Sequence, residues 1–445
     1  MSAPPPARLG ASGARTRDGW HTESMPWLLL AFGALIFVNA LNALWPRRGP
    51  LPVWAWSFLA SWFVIELAWH HLVVGVAAVA ALVAGGALEH PAGVVGLVLA
   101  VAALLIVLGI AWATRRTVVA VRGALEELDP GPEAPRFSRA SVVLPLLMGR
   151  RRGVRTRRDV PYARAAGQVL RLDVTEPSAP PPAGGSRRPA IVQVHGGAWV
   201  LGDKREQGLP LLRHLAAQGW VGINANYRLS PAATFPDHLV DVKRAIAWVR
   251  EHADELGVDP DFVCITGGSA GGHLAALAAL TAGDPSLQPG FEDADTSVAA
   301  AVPFYGVYDL TPQGAFGADP ALYRRLLEPY VMKAFVDEEP ERFVAASPIH
   351  LVHPGAPPFL VIHGDRDTLA PVEDARAFVA RLREVSEQPV LYVEMQGAQH
   401  AFEVVPSPRS ARVIEGVERF LTTLWERHLA GRAPTEAVLE EALAD

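Results

Sequence analysis

Three long apolar runs crowd the first quarter of the chain and restrict its fold more than any other feature. Trp27 to Trp45 carries no formal charge until Arg47, and Val94 to Thr114 carries none at all. Between them, Leu51 to Leu88 is interrupted only by Glu66, His70 and His71. A helix needs about 20 apolar residues to cross roughly 30 Å of hydrocarbon. The first and third runs fit one helix each, and the middle run is long enough for two that turn near His70 and His71. The reading is an all-α membrane region with four transmembrane helices at about 27–45, 51–69, 70–88 and 92–114, with three as the fallback. A cleaved signal peptide would account for the first run alone. A buried helical core would show a polar face, and these runs show none. Trp54, Trp56, Trp62 and Trp69 suit interfacial depths.

Charge divides the chain as sharply as hydropathy does. Residues 1–160 hold 16 Arg, no Lys and 9 acids, whereas the remainder holds 24 basic and 37 acidic groups. A net of +7 thus faces a net of −13, within an overall charge of −6. Such asymmetry suggests two parts in different surroundings. Charged residues make up 19% of the chain, which argues against a disordered or nucleic-acid-binding protein. One cysteine, Cys264, excludes a disulfide framework and any Cys-based metal cluster. Arg8, Arg15 and Arg17 precede the first run, and Arg115, Arg116, Arg122 and the Arg150–Arg158 run follow the last. Four spans would place both flanks on one side, which the positive-inside rule makes cytoplasmic. The pair Arg47 and Arg48 opposes that count, and three spans would put the flanks on opposite sides. The Arg150–Arg158 run suits either anionic headgroups or a solvated linker. Glu66 and His70 are four apart and share a helix face. They read as headgroup-level residues near a turn, with a metal or proton role as the alternative.

The expected organisation is an N-terminal tail (1–26), membrane helices (27–114), a basic linker (115–160), a catalytic domain (161–430) and a C-terminal tail (431–445). Within the catalytic domain, short β-type runs alternate with amphipathic helical runs. The β-type runs are QVLRLDV, AIVQVH, VGINANY, FVCITGG, VAAAVPFY, PFLVIHG and PVLYVEM. Alternation of this kind means a mainly parallel sheet with helices on both faces, and chemistry gathers at the carboxyl ends of such strands.

Each chemical candidate sits at such an end. After FVCITG comes Gly267-Gly268-Ser269-Ala270-Gly271-Gly272 and then a helical run, which matches G-x-S-x-G. Small residues permit a sharp strand-to-helix turn that exposes a serine hydroxyl, although an idle serine in a glycine-rich turn would look the same. After AIVQV comes His195-Gly196-Gly197-Ala198-Trp199. The amides of Gly196, Gly197 and Ala270, the residue after the serine, are candidates for an oxyanion hole. After PFLVI comes His363-Gly364-Asp365-Arg366-Asp367, and after VLYVEM comes Gly397-Ala398-Gln399-His400. A serine nucleophile needs a base, and the base needs an acid to fix its tautomer. The order Ser269, Asp367, His400 is the one an α/β-hydrolase shows. His273, His350, His353 and His363 compete as the base and Asp365 as the acid, but His400 alone follows a later strand at the correct end.

These segments resemble the α/β-hydrolase superfamily. Within it they are similar to the hormone-sensitive-lipase-like esterases and the feruloyl/acetyl-xylan-esterase-type hydrolases. The resemblance rests on HGGAW with Gly202-Asp203-Lys204, on Asn226-Tyr227-Arg228-Leu229-Ser230-Pro231, and on GGSAGGHLA, HGDRDTL and GAQHAF. It runs from about Tyr162 to Leu429 and leaves the membrane part uncovered. The resemblance implies an α/β-hydrolase fold, carboxylic-ester hydrolysis through an acyl-serine, and neither a cofactor nor a metal. Ala198 stands where lipase-like members carry a third Gly, and Gly268 where they carry Asp. Both departures point toward the xylan-esterase-type or kynurenine-formamidase-like branch. Between two strands, residues 311–356 form an excursion whose Phe316, Tyr323, Tyr330 and Phe335 either line an acyl pocket or cover the sheet edge.

The expectation is thus a multi-pass, membrane-anchored serine esterase acting on small-molecule or lipid esters. Its catalytic domain is expected on the cytoplasmic side. Formamide or amide hydrolysis, a non-catalytic scaffold that kept the fold, and a transporter with an appended hydrolase are the alternatives. Little internal polarity in the spans weighs against the last.

Overall fold

A computed structural model describes residues 17–47, 51–128, 136–143, 153–180, 187–317 and 323–432. The chain forms two compact units. One comprises residues up to Pro46 together with Leu59–Ala111, and the other comprises Arg47–Phe58 with Trp112 onward.

In the first unit the apolar runs form α1 (Arg17–Leu44), α2 (Leu51–Glu66, whose first two turns belong to the second unit), α3 (Ala68–Ala84) and α4 (Pro91–Ala113). Ser24–Leu44 and Pro91–Leu125 are each long and apolar enough to cross a membrane. At about 1.5 Å per residue, neither α2 nor α3 reaches roughly 30 Å on its own. The two are bent by 89° at Leu67 and pass the same criterion only as a pair. Two such helices, or three with the bent pair as one span, therefore stand where the sequence suggested four. The bend also separates Glu66 and His70, which lie on different helices rather than on one face. Small residues let α1 and α4 touch. A β-carbon on Gly96 would lie 2.5 Å from the Leu29 carbonyl carbon, and one on Gly33 would lie 2.2 Å from the Gly96 carbonyl oxygen. Ala40, Ala43, Ala103, Val107 and Ala111 continue the contact. Residues early in α1 meet residues early in α4, and late meets late, so the two helices run parallel. Leu35, Val73, Val98 and Leu105 point outward, each more than half exposed.

In the second unit an eight-stranded sheet has the order β1-β2-β4-β3-β5-β6-β7-β8. The strands are β1 (Val154–Ala165), β2 (Gln168–Pro177), β3 (Arg188–Val194), β4 (Val221–Ala225), β5 (Val258–Gly268), β6 (Ala301–Phe304), β7 (Phe359–Gly364) and β8 (Val390–Met395). The first two are antiparallel to their neighbours and the rest are parallel. Strands covered on both faces must be apolar throughout, and β3, β4, β6 and β7 are buried along their whole length. The period of two sorts their side chains. Ala190, Val192, Val194, Val263, Ile265, Phe359 and Val361 face one core, packed by α8 (Asp237–Glu251), α10 (Ala270–Leu280) and α12 (Val372–Val385). Ile191, Cys264, Leu360, Ile362, Leu391 and Val393 face the other, packed by α5 (Arg115–Leu125), α7 (Leu209–Ala217) and α13 (Pro408–Arg432).

The shorter helices are α6 (Arg139–Val143), α9 (Ala253–Leu256) and α11 (Pro340–Ala345). The stretch expected to be a basic linker is partly structural. Its α5 packs Val121 and Leu125 against Gly416 of α13, and β1 begins at Val154. Arg155 and Arg157 of β1 reach the Glu176 carboxylate at 3.2 and 3.1 Å, and Arg157 also reaches Glu255. Those two arginines are thus paired on an edge strand, while Arg150, Arg151 and Arg152 lie outside the described residues.

Candidate active site

The chain reverses direction across the sheet between β3 and β5, where Val194 pairs with Gly267. Two loops therefore leave neighbouring strand ends at one level, the place where ligands bind in open α/β sheets. From β5 the chain turns into α10 through Ser269, whose φ of 59° and ψ of −123° form a sharp, sparsely populated turn. The turn needs glycine at its rear, because a β-carbon on Gly271 would come within 2.1 Å of the Val194 carbonyl oxygen. Phe304 accepts a 3.0 Å hydrogen bond from the Ser269 amide and ties the turn to β6. From β3 the chain passes through His195, Gly196 and Gly197 directly beside the serine. A β-carbon on Gly196 would lie 3.0 Å from that of Ser269.

This second loop is held from several sides. Trp199 Nε1 donates to His273 Nδ1 at 3.1 Å, the Ser230 amide donates to the Trp199 carbonyl at 2.9 Å, and the Tyr227 hydroxyl donates to the His195 carbonyl at 3.1 Å. Ala198 has a φ of 51°, a left-handed conformation natural to glycine, which accounts for the third Gly that lipase-like sequences carry here. The Gly196 amide, expected to face the substrate, is engaged by Gln207 Oε1 at 2.7 Å. Among the described residues the Gly197 and Ala270 amides meet no acceptor.

At the other side of the sheet Gly364 pairs with Met395, so the loops after β7 and β8 also start level. They bring together Asp367 and His400, with His400 Nδ1 at 2.6 Å from Asp367 Oδ2. The other carboxylate oxygen accepts the Leu369 and Ala370 amides, both at 2.8 Å. His363 Nε2 lies 3.4 Å from Asp367 Oδ2 and 3.0 Å from the Ala370 carbonyl oxygen. Burial alone would raise the Asp367 pKa. The His400 charge and the hydrogen bonds from His363 and His400 outweigh it and hold the carboxyl well below its usual range. Asp365, the rival acid, instead receives the Gly397 amide at 2.6 Å and ties the two loops together from behind.

Other histidines have other partners. His273 accepts from Trp199 and donates Nε2–H to the Ala346 carbonyl at 2.7 Å, and burial lowers its pKa to about 4. His350 lies 3.7 Å from Asp309, and His353 is exposed.

Further supporting residues escaped the sequence reading. Gln399 Oε1 accepts the Thr368 amide at 2.8 Å and the His400 amide at 2.9 Å, so one side chain clamps the Asp367 loop to the His400 loop. Tyr305, at the end of β6, sets its ring 4.4 Å from that of His400 and donates its hydroxyl to the buried Glu403 carboxylate. Its hydroxyl oxygen stands 2.7 Å from where a β-carbon on Gly268 would lie, so an aspartate there would collide with Tyr305. Tyr305 thus touches both the serine turn and the histidine. Only the HAFE spacing, His400 to Glu403, hinted at that pair in the sequence.

In the excursion at 311–356, Phe316 and Tyr323 are core residues, and Tyr323 stacks on Phe343 at 5.4 Å. Tyr330 and Phe335 are exposed. Residues 318–322 lie outside the described residues.

Sheet order, strand-end loops and the turn at Ser269 define an α/β-hydrolase. A model of the BD-FAE family matches residues 174–382. The probable carboxylic ester hydrolase LipM of Mycobacterium tuberculosis (strain ATCC 25618 / H37Rv) is 51% identical over 251 residues, which cover 56% of this chain and 58% of LipM. Esterase LipC of the same strain is 42% identical over 310 residues, covering 68% of this chain and 74% of LipC. The match thus spans less than two thirds of LipM and nearly three quarters of LipC. The thermophilic esterase Est2 of the Planctomycetes species Thermogutta terrifontis shares the fold with a TM-score of 0.50 and 28% identity, covering 64% of this chain and 95% of that structure. The chain belongs to the α/β-hydrolase esterase family that includes LipC.

Proposed function

We propose that the chain is a membrane-anchored serine hydrolase of carboxylic esters. The observation that carries this reading is the 2.6 Å Asp367–His400 pair, set by adjacent strand ends in a site whose serine occupies a strained strand-to-helix turn. With Nδ1 taken by Asp367, His400 has Nε2 to accept the Ser269 proton as the hydroxyl oxygen attacks the ester carbonyl. Asp367 remains ionised and stabilises the imidazolium. The Gly197 and Ala270 amides receive the oxyanion, each donor being worth about 3–4 kcal/mol in the transition state. His400 then protonates the departing alkoxide, and a water molecule repeats the cycle on the acyl-serine to release the acid. Esterase names among the relatives support this substrate class. Ser269→Ala is expected to abolish hydrolysis of short p-nitrophenyl esters while the far-ultraviolet circular dichroism stays unchanged. Undiminished turnover in that variant would sink the assignment.

The parallel course of α1 and α4 bears on how the chain sits in a bilayer. If both cross in the same sense, the bent pair between them makes the one return crossing, giving three crossings in all. Arg47 then shares a side with Arg115, Arg116 and Arg122, whereas Arg8 and Arg15 lie on the other. The positive-inside rule makes the richer side, with the catalytic unit, cytoplasmic. This arrangement accommodates Arg47 and Arg48, which opposed the four-span reading. Protease treatment of intact and lysed cells tests it. Cleavage of the catalytic unit in intact cells would overturn the orientation.

A further inference from the structure

The segment Arg47–Phe58 follows the first apolar helix, yet it packs as part of the catalytic unit. Trp54 and Phe58, four residues apart, share a face of α2. Trp54 Nε1 donates to the Thr368 carbonyl at 3.2 Å, on the loop that carries Asp367. The Phe58 ring stands edge-on to the His400 ring, with centroids 6.4 Å apart and planes at 69°. The Arg47 amide, bonded to Ser57 Oγ at 2.7 Å, folds the start of the segment back onto this turn of the helix.

We infer that Trp54 and Phe58 form the wall of the site against which the alcohol part of the ester lies, and that they select esters of bulky apolar alcohols, aryl or long-chain alkyl. The inference rests on the proposed hydrolysis. Asp367 occupies Nδ1 of His400, so the opposite nitrogen must hand its proton to the leaving oxygen across about 3 Å. The alcohol is therefore the part of the substrate that passes the imidazole. One side of that ring is closed by Tyr305, which is fully buried. Phe58 is only half-buried and is the aromatic group a bound alcohol would meet. Trp54 fixes the helix to the acid loop, so the wall keeps its distance from the reacting atoms.

The test uses the full chain in detergent and two sets of esters. One set keeps the acetyl group and varies the alcohol from methyl to decyl and 1-naphthyl. The other keeps p-nitrophenol and varies the acyl group from C2 to C16. In Phe58→Ala, KM for the decyl and naphthyl acetates is expected to rise about tenfold, so that the dependence on alcohol size flattens, while the slope against acyl length is kept. Phe58→Leu, a milder change, is expected to lose preference for naphthyl more than for decyl. A fluorophosphonate probe on Ser269 reports whether the site is assembled. A labelled variant whose alcohol dependence matches that of the unsubstituted chain, or whose acyl slope changes instead, overturns the inference alone. Failure of the unsubstituted chain to label overturns the proposed hydrolysis and the inference with it.

Discussion

At the scale of residues, the site's chemistry and its scaffolding were not equally legible in the sequence. Ser269, Asp367 and His400 could be singled out because each follows a β-type run, and parallel sheets place such positions at one edge. What distinguishes Asp367 from Asp365 is a matter of loop bonding: two amides and two histidines meet one carboxylate, and the Gly397 amide meets the other. Gln399 was invisible because it ties Thr368 to His400, on loops that follow two strands which only the fold makes neighbours. Gln207 escaped for the same reason when it took the Gly196 amide. If Gln399 holds the acid and base loops in register, Gln399→Ala should lower kcat by about tenfold to a hundredfold with little change in KM, since misplacement by about 1 Å can cost that much. Steady-state kinetics on one ester suffices. A rise in KM with kcat intact would assign Gln399 to binding instead.

The elements tell a different story, in which pattern succeeded for the core and failed at the edges. Seven of the eight strands were expected from their apolar runs. The eighth, β1, alternates arginine with small and polar residues because it lies at the sheet edge and pairs those charges with Glu176 and Glu255. Charge on an edge strand reads like a linker. In the N-terminal apolar region, composition marked all the helices and set a turn near His70 and His71, but it missed the bend's place at Leu67, since no proline or glycine sits there to announce it. The packing of α1 on α4 follows from Gly33 and Gly96, where neither helix can carry a side chain. Gly96→Leu should therefore force the helices apart at a cost of about 1–3 kcal/mol. Thermal unfolding in detergent would show a lower midpoint. An unchanged midpoint would mean that the two helices do not approach at this residue.

For the molecule as a whole, acid is the condition that tests the buried core. His273 and His238 are both held to about 4 by burial, below the ordinary 6.5 of the unfolded chain. The unfolded state therefore binds protons between pH 6.5 and 4 that the folded state refuses. Their contribution to stability is whole above pH 6.5 and is lost as pH falls through that window, by up to about 3 kcal/mol each. Asp367, held low by its histidines, adds the same sign at still lower pH. Melting temperature should decline from pH 7 to 4.5, and less steeply in His273→Gln. A flat profile would show that these imidazoles are protonated at no cost.

The bond from Trp54 to Thr368 joins positions 314 residues apart. No stretch of chain shorter than that contains the whole site, and the hydrophobic segment that a biochemist would trim for solubility is the one that holds Trp54 and Phe58. A fragment beginning after the last apolar helix would keep Ser269, Asp367 and His400 but would lack Trp54 and Phe58. Its substrate preferences would then be those of the excised sheet and not of the whole chain.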